Sequence, residues 1–139
     1  RSLYKKVETF ASGIYYNENG VFRFEPLPPL AQISPVLALH TDDYDSDGSK
    51  DILLAGNIYQ TEVETPRWDS GNGLLLLQKN GNWRPQSIAQ SGFCAPHDAK
   101  DMAALETPSG TLVVVANNNG ALQTFRIKEG GGEMLGMRD

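Results

Sequence analysis

The amino-acid sequence predicts an all-β protein built from antiparallel strands. Its apolar residues fall in short runs bounded by Gly, Pro, Asn and Asp, which is the pattern of buried strands joined by turns. Three Asn-Gly steps lie between such runs, and Asn-Gly is the strongest short-range signal for a β-hairpin. No segment of the sequence shows convincing helical periodicity.

Each Asn-Gly step predicts one hairpin, because a two-residue type I′ turn needs positive φ at both central residues. Aromatic side chains at alternating positions of the flanking strands, and Trp83, are expected to face the core. The steps are Asn19-Gly20, Asn80-Gly81 and Asn119-Gly120, with expected strands at 13–16 and 21–24, 74–77 and 83–85, and 113–115 and 122–125.

The nine residues from Asp43 to Asp51, DYDSDGSKD, carry carboxylates at positions one, three, five and nine and a glycine at position six. Like charges this close repel one another, whereas Ca²⁺ takes six to eight oxygen ligands at roughly 2.3–2.6 Å. Gly48 permits the sharp bend that turns alternate residues inward. The alternative is a solvated acidic turn without an ion. The predicted calcium ligands are the side chains of Asp43, Asp45, Asp47 and Asp51 and the carbonyl of Ser49.

The flanks of this acidic loop distinguish it from an EF-hand. An EF-hand loop lies between two helices and has a bidentate Glu at position twelve, where this chain has Leu54. The short apolar runs 35–40 and 52–56 predict strands on both sides instead. We therefore expect a strand–loop–strand site in which Asp51 opens the second strand.

The composition argues against several classes of function. A formal net charge of −5, with no basic cluster, argues against nucleic-acid binding. No run approaches the roughly 18 apolar residues that a membrane span needs. The single cysteine, Cys94, excludes an internal disulfide. Because the sequence begins at Arg1 rather than Met, we expect a mature portion or a fragment of a longer protein.

The chain contains an internal repeat. The run 53–57, LLAGN, follows the acidic loop, and the similar run 114–118, VVANN, follows the shorter turn 108–110. The second copy is therefore expected to be the same structural unit, with its cation site replaced by a Pro-Ser-Gly turn.

The segment 57–72 is polar and is expected to be an insertion between two strands, a frequent location of binding surfaces. In this insertion Arg67, Trp68 and Asp69 are candidate residues for binding a glycan or a protein, since exposed Trp and Arg are typical anchors. The alternative is that Trp68 only covers a sheet edge.

The run from Asp42 to Gly56, DDYDSDGSKDILLAG, resembles the calcium-binding blade loop of FG-GAP/VCBS-repeat proteins, which form integrin-α-like β-propellers. The runs 24–28, 31–32, 34–36, 56–57 and 73–77 are similar to the C-terminal blades of bacterial VCBS proteins of the ASPIC/UnbV type. The runs 116–119 and 122–126 are similar to their last blade. The resemblance covers about residues 11–127. It implies a non-enzymatic protein at the bacterial cell surface, in the periplasm or outside the cell. The chain departs from the family pattern because it has no intact Phe-Gly…Gly-Ala-Pro segment and only one acidic loop.

On this resemblance the chain forms about two to two and a half antiparallel β-propeller blades of a partial propeller. Closed propellers have about four to eight blades. We therefore expect a fragment of a longer chain, or self-association through the open blade edges. The expected division is 1–33 for the outer strands of a preceding blade, 34–92 for a blade with the calcium loop and the insertion, 93–128 for a degenerate last blade, and 129–139 for a flexible tail.

No catalytic residues are predicted. Cys94, His97 and Asp98 lie close in sequence, but nothing around them marks a nucleophile elbow. The expected function is a calcium-binding structural or interaction module. Two alternatives stay open: a carbohydrate- or protein-binding propeller face that uses the insertion, and a fragment of a polysaccharide-active enzyme.

Overall fold

The computed structural model describes residues 3–127 and the backbone of residues 134–137. In these residues every strand pairing is antiparallel, which confirms the predicted all-β antiparallel class. The strands form a hairpin and two four-stranded sheets in which neighbours in sequence are neighbours in space. The strands are β1 (Gly13–Glu18), β2 (Val21–Pro26), β3 (Ala38–Asp42), β4 (Asp51–Ala55), β5 (Leu74–Lys79), β6 (Asn82–Gln86), β7 (Ala99–Thr107), β8 (Gly110–Asn117), β9 (Gln123–Ile127) and β10 (Met134–Met137).

The Asn-Gly steps form the predicted hairpins in two forms. Asn19-Gly20 and Asn80-Gly81 have positive φ at both residues, as a two-residue type I′ turn requires. At Asn119-Gly120 only the Asn has positive φ, and β8 is joined to β9 by the longer connection 118–122. The hairpin forms there nonetheless, with Val115 paired to Gln123.

Two short helices were not predicted. A 3₁₀ helix covers Pro29–Gln32, and the helix α1 covers Ile88–Ser91. The sequence signal for α1 is its capping box, in which Ser87 and Gln90 exchange side-chain-to-backbone hydrogen bonds. Four residues are too few to show helical periodicity. Within the described part of the chain, neither helix has the length and apolarity of a membrane span.

The sheet β3–β6 is the middle one of three layers. Because strand side chains alternate between faces, neighbouring residues of β4 pack in opposite directions. Leu53 faces the sheet β7–β10, and Leu54 faces the β1–β2 hairpin and the 3₁₀ helix. All five residues of β4 are therefore buried, which explains its unbroken apolar run. The cluster toward β7–β10 includes Leu75, Phe93, Met102, Val113 and Phe125, and the cluster toward the hairpin includes Leu27, Ala31, Ile52 and Leu76.

The internal repeat shows that the two four-stranded sheets stack in the same orientation. Leu54 aligns with Val115 in the repeat, and each of the two side chains packs toward the preceding layer. Leu53 aligns with Val114, so the Val114 side chain lies on the outer face of the second sheet, where it is half-buried. The side chains at equivalent positions of the two copies thus point in the same direction along the stack of sheets.

The two outermost faces carry exposed apolar side chains. Tyr15 and Phe22, on the outer face of the hairpin, are 63% and 64% exposed. The expectation that these aromatic residues lie in the core is therefore wrong, because no described layer covers that face. Trp83 is half-buried against the core, as expected. On the opposite outer face Leu105 is exposed.

The segment 129–139 was expected to be a flexible tail. Its residues 134–137 instead form β10, which pairs with β9 from Met134↔Ile127 to Met137↔Thr124. Residues 128–133 and 138–139 lie outside the described residues.

A buried polar network joins the insertion to the connection that precedes β7. The fully buried amide of Asn57 donates to the carbonyls of Gly71, Pro96 and His97 at 2.8–3.1 Å. The Asn57 backbone carbonyl accepts a hydrogen bond from Lys100 Nζ at 3.0 Å. The Asn57 amide thus connects Gly71, near the end of the insertion, to residues 96–97, where the carbonyls of Pro96 and His97 also accept hydrogen bonds from the Tyr59 hydroxyl and the Ala99 amide.

Asp98 continues this network. Its buried carboxylate accepts hydrogen bonds from Lys100 Nζ at 2.5 Å and from Asn118 Nδ2 at 3.0 Å. Burial by itself would raise the pKa of Asp98, but the Lys100 ammonium and the Asn118 amide outweigh it and hold the pKa below its ordinary value of 3.8.

We expect Asp98→Asn to lower the free energy of unfolding by about 1–2 kcal/mol at neutral pH, because it removes a charge-assisted hydrogen bond. A lowered pKa in the folded state stabilises the fold above the ordinary pKa, and this contribution is lost as the pH falls through the folded-state pKa. The difference from wild type should therefore shrink toward about pH 3 in urea denaturation. The exposed Asp69→Asn is the control and should stay within about 0.5 kcal/mol at both pH values. A difference that does not change with pH would contradict this account.

Candidate metal centre

The acidic loop, residues 43–50, joins β3 to β4. Asp42 and Asp51 pair at the strand ends, which confirms the predicted strand–loop–strand arrangement and the position of Asp51 at the start of the second strand. The chain reverses through two residues with positive φ, Ser46 at 61° and Gly48 at 87°. The bend at Gly48 was predicted. The bend at Ser46 was not, because a serine there gives no signal of a left-handed conformation.

Three of the predicted ligands converge. Carboxylate oxygens of Asp43, Asp45 and Asp51 all lie within 4.8 Å of one another. Two oxygens that each lie up to about 2.6 Å from one Ca²⁺ are separated by at most about 5 Å, so this spacing fits a shared cation. In addition, Asp45 Oδ1 is buried and accepts no hydrogen bond. A buried acceptor without a partner costs free energy, and a bound cation would remove that cost.

Asp51 is the most buried member of the cluster. Its side chain is fully buried and accepts two backbone hydrogen bonds, from Tyr44 at 2.9 Å and from Gln78 at 2.8 Å. Burial raises the pKa of Asp51, the two amides oppose that rise, and the nearby Asp45 and Asp47 add to it. Asp51 therefore ties the acidic loop to β5.

The Asp43 carboxylate accepts hydrogen bonds from backbone amides in the second half of the loop. Its Oδ1 accepts from the Asp47 amide at 3.0 Å and its Oδ2 from the Gly48 amide at 2.8 Å. Each carboxylate oxygen has a further lone pair for a metal, so these bonds orient the Asp43 carboxylate without using up its capacity as a ligand.

Asp47 lies beside the converging group and points elsewhere. Its Oδ2 accepts a hydrogen bond from Lys79 at 2.6 Å, and its Oδ1 accepts one from the Ser49 amide at 2.8 Å. Lys79, followed by the Ser49 amide, lowers the pKa of Asp47. The structure thus gathers three of the four predicted carboxylate ligands. The role of the Ser49 carbonyl stays a prediction.

Lys79 is the residue of this site that sequence reasoning missed. Its ammonium forms ion pairs with both Asp45 and Asp47, and these two carboxylates raise its pKa. Lys79 ends β5 and lies 32 residues after Asp47. A lysine before an Asn-Gly turn carries no sequence signal for such a contact, and only the pairing of β4 with β5 brings it to the loop.

Tyr44 anchors the loop in the core. It is 2% exposed, burial raises its pKa, and its hydroxyl lies 2.7 Å from His40 Nδ1. His40 thus contacts a loop residue by a hydrogen bond.

The candidate binding residues of the insertion lie on its surface. Trp68 is 52% exposed, and its backbone forms a bridge with Ile58 through hydrogen bonds of 2.8 and 3.0 Å. The Arg67 guanidinium lies 4.0 Å from the centroid of the Tyr59 ring, and it pairs with Asp69 at 3.8 Å. Arg67 and Trp68 line an open cleft of about 530 Å³, whereas Asp69 does not. The other residues that line this cleft are Phe10, Ser12, Gln32, Ile33, Ser34, Pro35 and Ser70.

Comparison with known proteins gives no relative. No protein-family model, curated protein or solved structure matches the sequence. The resemblance to FG-GAP/VCBS-repeat proteins therefore rests on the sequence motifs alone and stays a prediction.

We expect Asp51→Ala to lower the free energy of unfolding by about 3 kcal/mol, because it leaves the Tyr44 and Gln78 amides without their buried acceptor. Urea denaturation in excess chelator measures this loss without any contribution from a bound ion. The control is Asp42→Ala, which removes a half-exposed carboxylate paired with Lys50 at 3.1 Å and should cost clearly less. Equal losses in the two variants would show that the buried bonds of Asp51 do not have this role.

Proposed function

We propose that the chain is a calcium-stabilised, non-catalytic structural or interaction module of an exported bacterial β-propeller protein of the FG-GAP/VCBS-repeat type. The observation that carries the calcium proposal is the convergence of Asp43, Asp45 and Asp51 around the buried and unpartnered Asp45 Oδ1. The motif resemblance and the stacked sheets support the propeller proposal.

The donor set favours calcium among biological metals. The converging ligands are all carboxylate oxygens, with no thiolate or imidazole among them, which is the set preferred by hard cations. Ca²⁺ also accepts irregular geometry and partly dehydrated sites, whereas Mg²⁺ demands near-ideal octahedra and retains several waters. A Ca²⁺ ion here would join the two ends of the loop and, through Asp51, hold it against β5.

The layer arrangement is that expected of successive propeller blades. Each four-stranded sheet is an antiparallel meander, and the aligned pairs Leu53/Val114 and Leu54/Val115 show that the sheets stack in one orientation. The first strands of the two sheets, β3 and β7, contact each other, as the inner strands of neighbouring blades do around a central channel. On this proposal, further blades cover the apolar outer faces that carry Phe22 and Leu105.

A structural role for the ion agrees with the second copy of the repeat. There β7 and β8 are joined by a turn at 108–109, without an acidic loop. The same hairpin therefore forms in this chain without carboxylates to hold an ion. In the first copy the ion would stabilise a longer loop by mass action.

We expect millimolar calcium to raise the melting temperature by about 5–10 °C over the value in chelator, because the ion binds the folded loop and not the unfolded chain. Asp45→Asn should abolish most of this rise. In chelator its melting temperature should lie at or below that of wild type, since the substitution removes the ion pair with Lys79.

Differential scanning calorimetry of both proteins, with magnesium at the same concentration as the control cation, measures these shifts. A wild-type melting temperature that is the same in calcium and in chelator would contradict the calcium proposal.

A second candidate function is glycan or protein binding at the Arg67–Trp68 cleft. The observation that favours it is that a half-exposed tryptophan and an arginine border a cleft that also presents polar side chains. An exposed indole offers an apolar face for stacking and an N–H donor, which suits a sugar ring. The polar residues of the cleft are Ser12, Gln32, Ser34 and Ser70.

We expect Trp68→Ala to weaken binding to any glycan identified on an array by about tenfold or more, because stacking on the indole is lost. Trp68→Phe, which retains an aromatic face, should lose clearly less. Melting temperatures close to wild type in both variants would show that the insertion is intact. Unchanged glycan binding by Trp68→Ala would remove the cleft as the binding site.

A further inference from the structure

The Lys79 ammonium contacts two of the carboxylates that would serve the calcium ion. It pairs with Asp45, and its Nζ lies 2.6 Å from Asp47 Oδ2. We propose that Lys79 is an internal counter-cation that competes with calcium for Asp45 and Asp47, so that calcium binding displaces its ammonium into solvent. This inference rests on the proposed calcium site and concerns its regulation.

The charges around the loop single out Lys79. Lys50 pairs with Asp42, which is not a predicted ligand, at 3.1 Å and remains largely exposed. Among the described residues, only Lys79 forms ion pairs with predicted calcium ligands. The lysine therefore neutralises part of the charge that would attract the ion.

The ion pairs of Lys79 leave part of the carboxylate cluster without a partner. Lys79 contacts Asp45 Oδ2, while Asp45 Oδ1 remains buried without a partner. Asp43 and Asp51, the other members of the converging group, accept only backbone hydrogen bonds. The cluster therefore still attracts a metal cation while the Lys79 ammonium is paired with Asp45 and Asp47.

The ammonium and a calcium ion would oppose each other. An ion about 2.6 Å from a carboxylate oxygen of Asp45 would lie only a few ångströms from the ammonium paired with the same group, and like charges at that range repel. The Lys79 side chain is 37% exposed, so its flexible stem has a route to water. Release of the ammonium would free Asp47 to turn toward the ion as a fourth carboxylate ligand.

Two consequences follow from this competition. Calcium affinity is lower than the carboxylates alone would give, so the loop responds only at higher calcium concentrations. At low calcium Lys79 holds the loop together, since it offsets the repulsion among the carboxylates.

The test compares wild type, Lys79→Met and Lys50→Met by calorimetric calcium titration. Both substitutions remove one positive charge near the loop and keep a long side chain, but only Lys79 contacts predicted ligands. We expect Lys79→Met to bind calcium roughly tenfold more tightly than wild type, because a competing charge at contact range is gone. Lys50→Met should differ from wild type by less than about twofold.

Amine labelling gives a second readout. The Lys79 amine should react slowly in chelator and faster in calcium, while Lys50 reacts alike in both. In chelator, Lys79→Met should also melt below wild type. Equal or weaker calcium binding by Lys79→Met would overturn the competition, and so would Lys79 labelling that does not respond to calcium in a wild-type protein that binds it.

The outcomes also separate this inference from the calcium proposal. If wild type binds no calcium but Lys79→Met does, the lysine has replaced the ion in this chain, and the competition is supported while the wild-type calcium function is refuted. If neither protein binds calcium, both proposals fail. If both bind with equal affinity, only the competition fails.

Discussion

The burial of the Asp51 carboxylate is the constraint on which the arrangement of this molecule depends. Asp51 opens β4, a strand that is covered on both faces, so its side chain has no access to water. The carboxylate is retained there because amides from Tyr44 and Gln78 donate to its two oxygens. These bonds fix the loop to β5, and the same pairing brings Lys79 to the cluster. The position of one buried anion thus determines the geometry of the whole site.

The acidic loop distributes its negative charge among several kinds of partner. Asp43 and Asp51 accept hydrogen bonds from backbone amides. Asp42 forms an ion pair with Lys50, and Asp47 forms one with Lys79. Asp45 alone has a buried oxygen without a partner among the loop carboxylates. The deficit is therefore local, and it lies where three carboxylates converge. This local deficit is the basis for proposing one cation in the centre of the loop rather than a diffuse attraction of counter-ions.

The sequence was sufficient to predict the structural features that depend on neighbouring residues. It was not sufficient for the contacts that depend on pairing between distant strands. Asn-Gly steps and the proline- and glycine-bounded apolar runs were sufficient for the hairpins, and the apolar run after the acidic loop placed Asp51 at a strand start. Lys79 could not be found this way, because its contact with Asp47 depends on strand pairing across 32 residues. The exposure of Tyr15 and Phe22 was missed for a related reason. Alternation shows that two faces differ, but not whether a layer covers each face.

The two copies of the repeat separate what the fold needs from what the loop adds. The β7–β8 hairpin closes through a turn at 108–109 with no cluster of carboxylates, so the sheet geometry itself requires no ion. The eight residues between β3 and β4 bring repulsion that a short turn avoids, and their conformation depends on Lys79, on backbone amides and, as proposed, on calcium. Because cations must offset the repulsion among its carboxylates, such a loop is suited to a local order that depends on the ionic environment. That dependence follows from the proposed calcium site and from the proposed competition with Lys79.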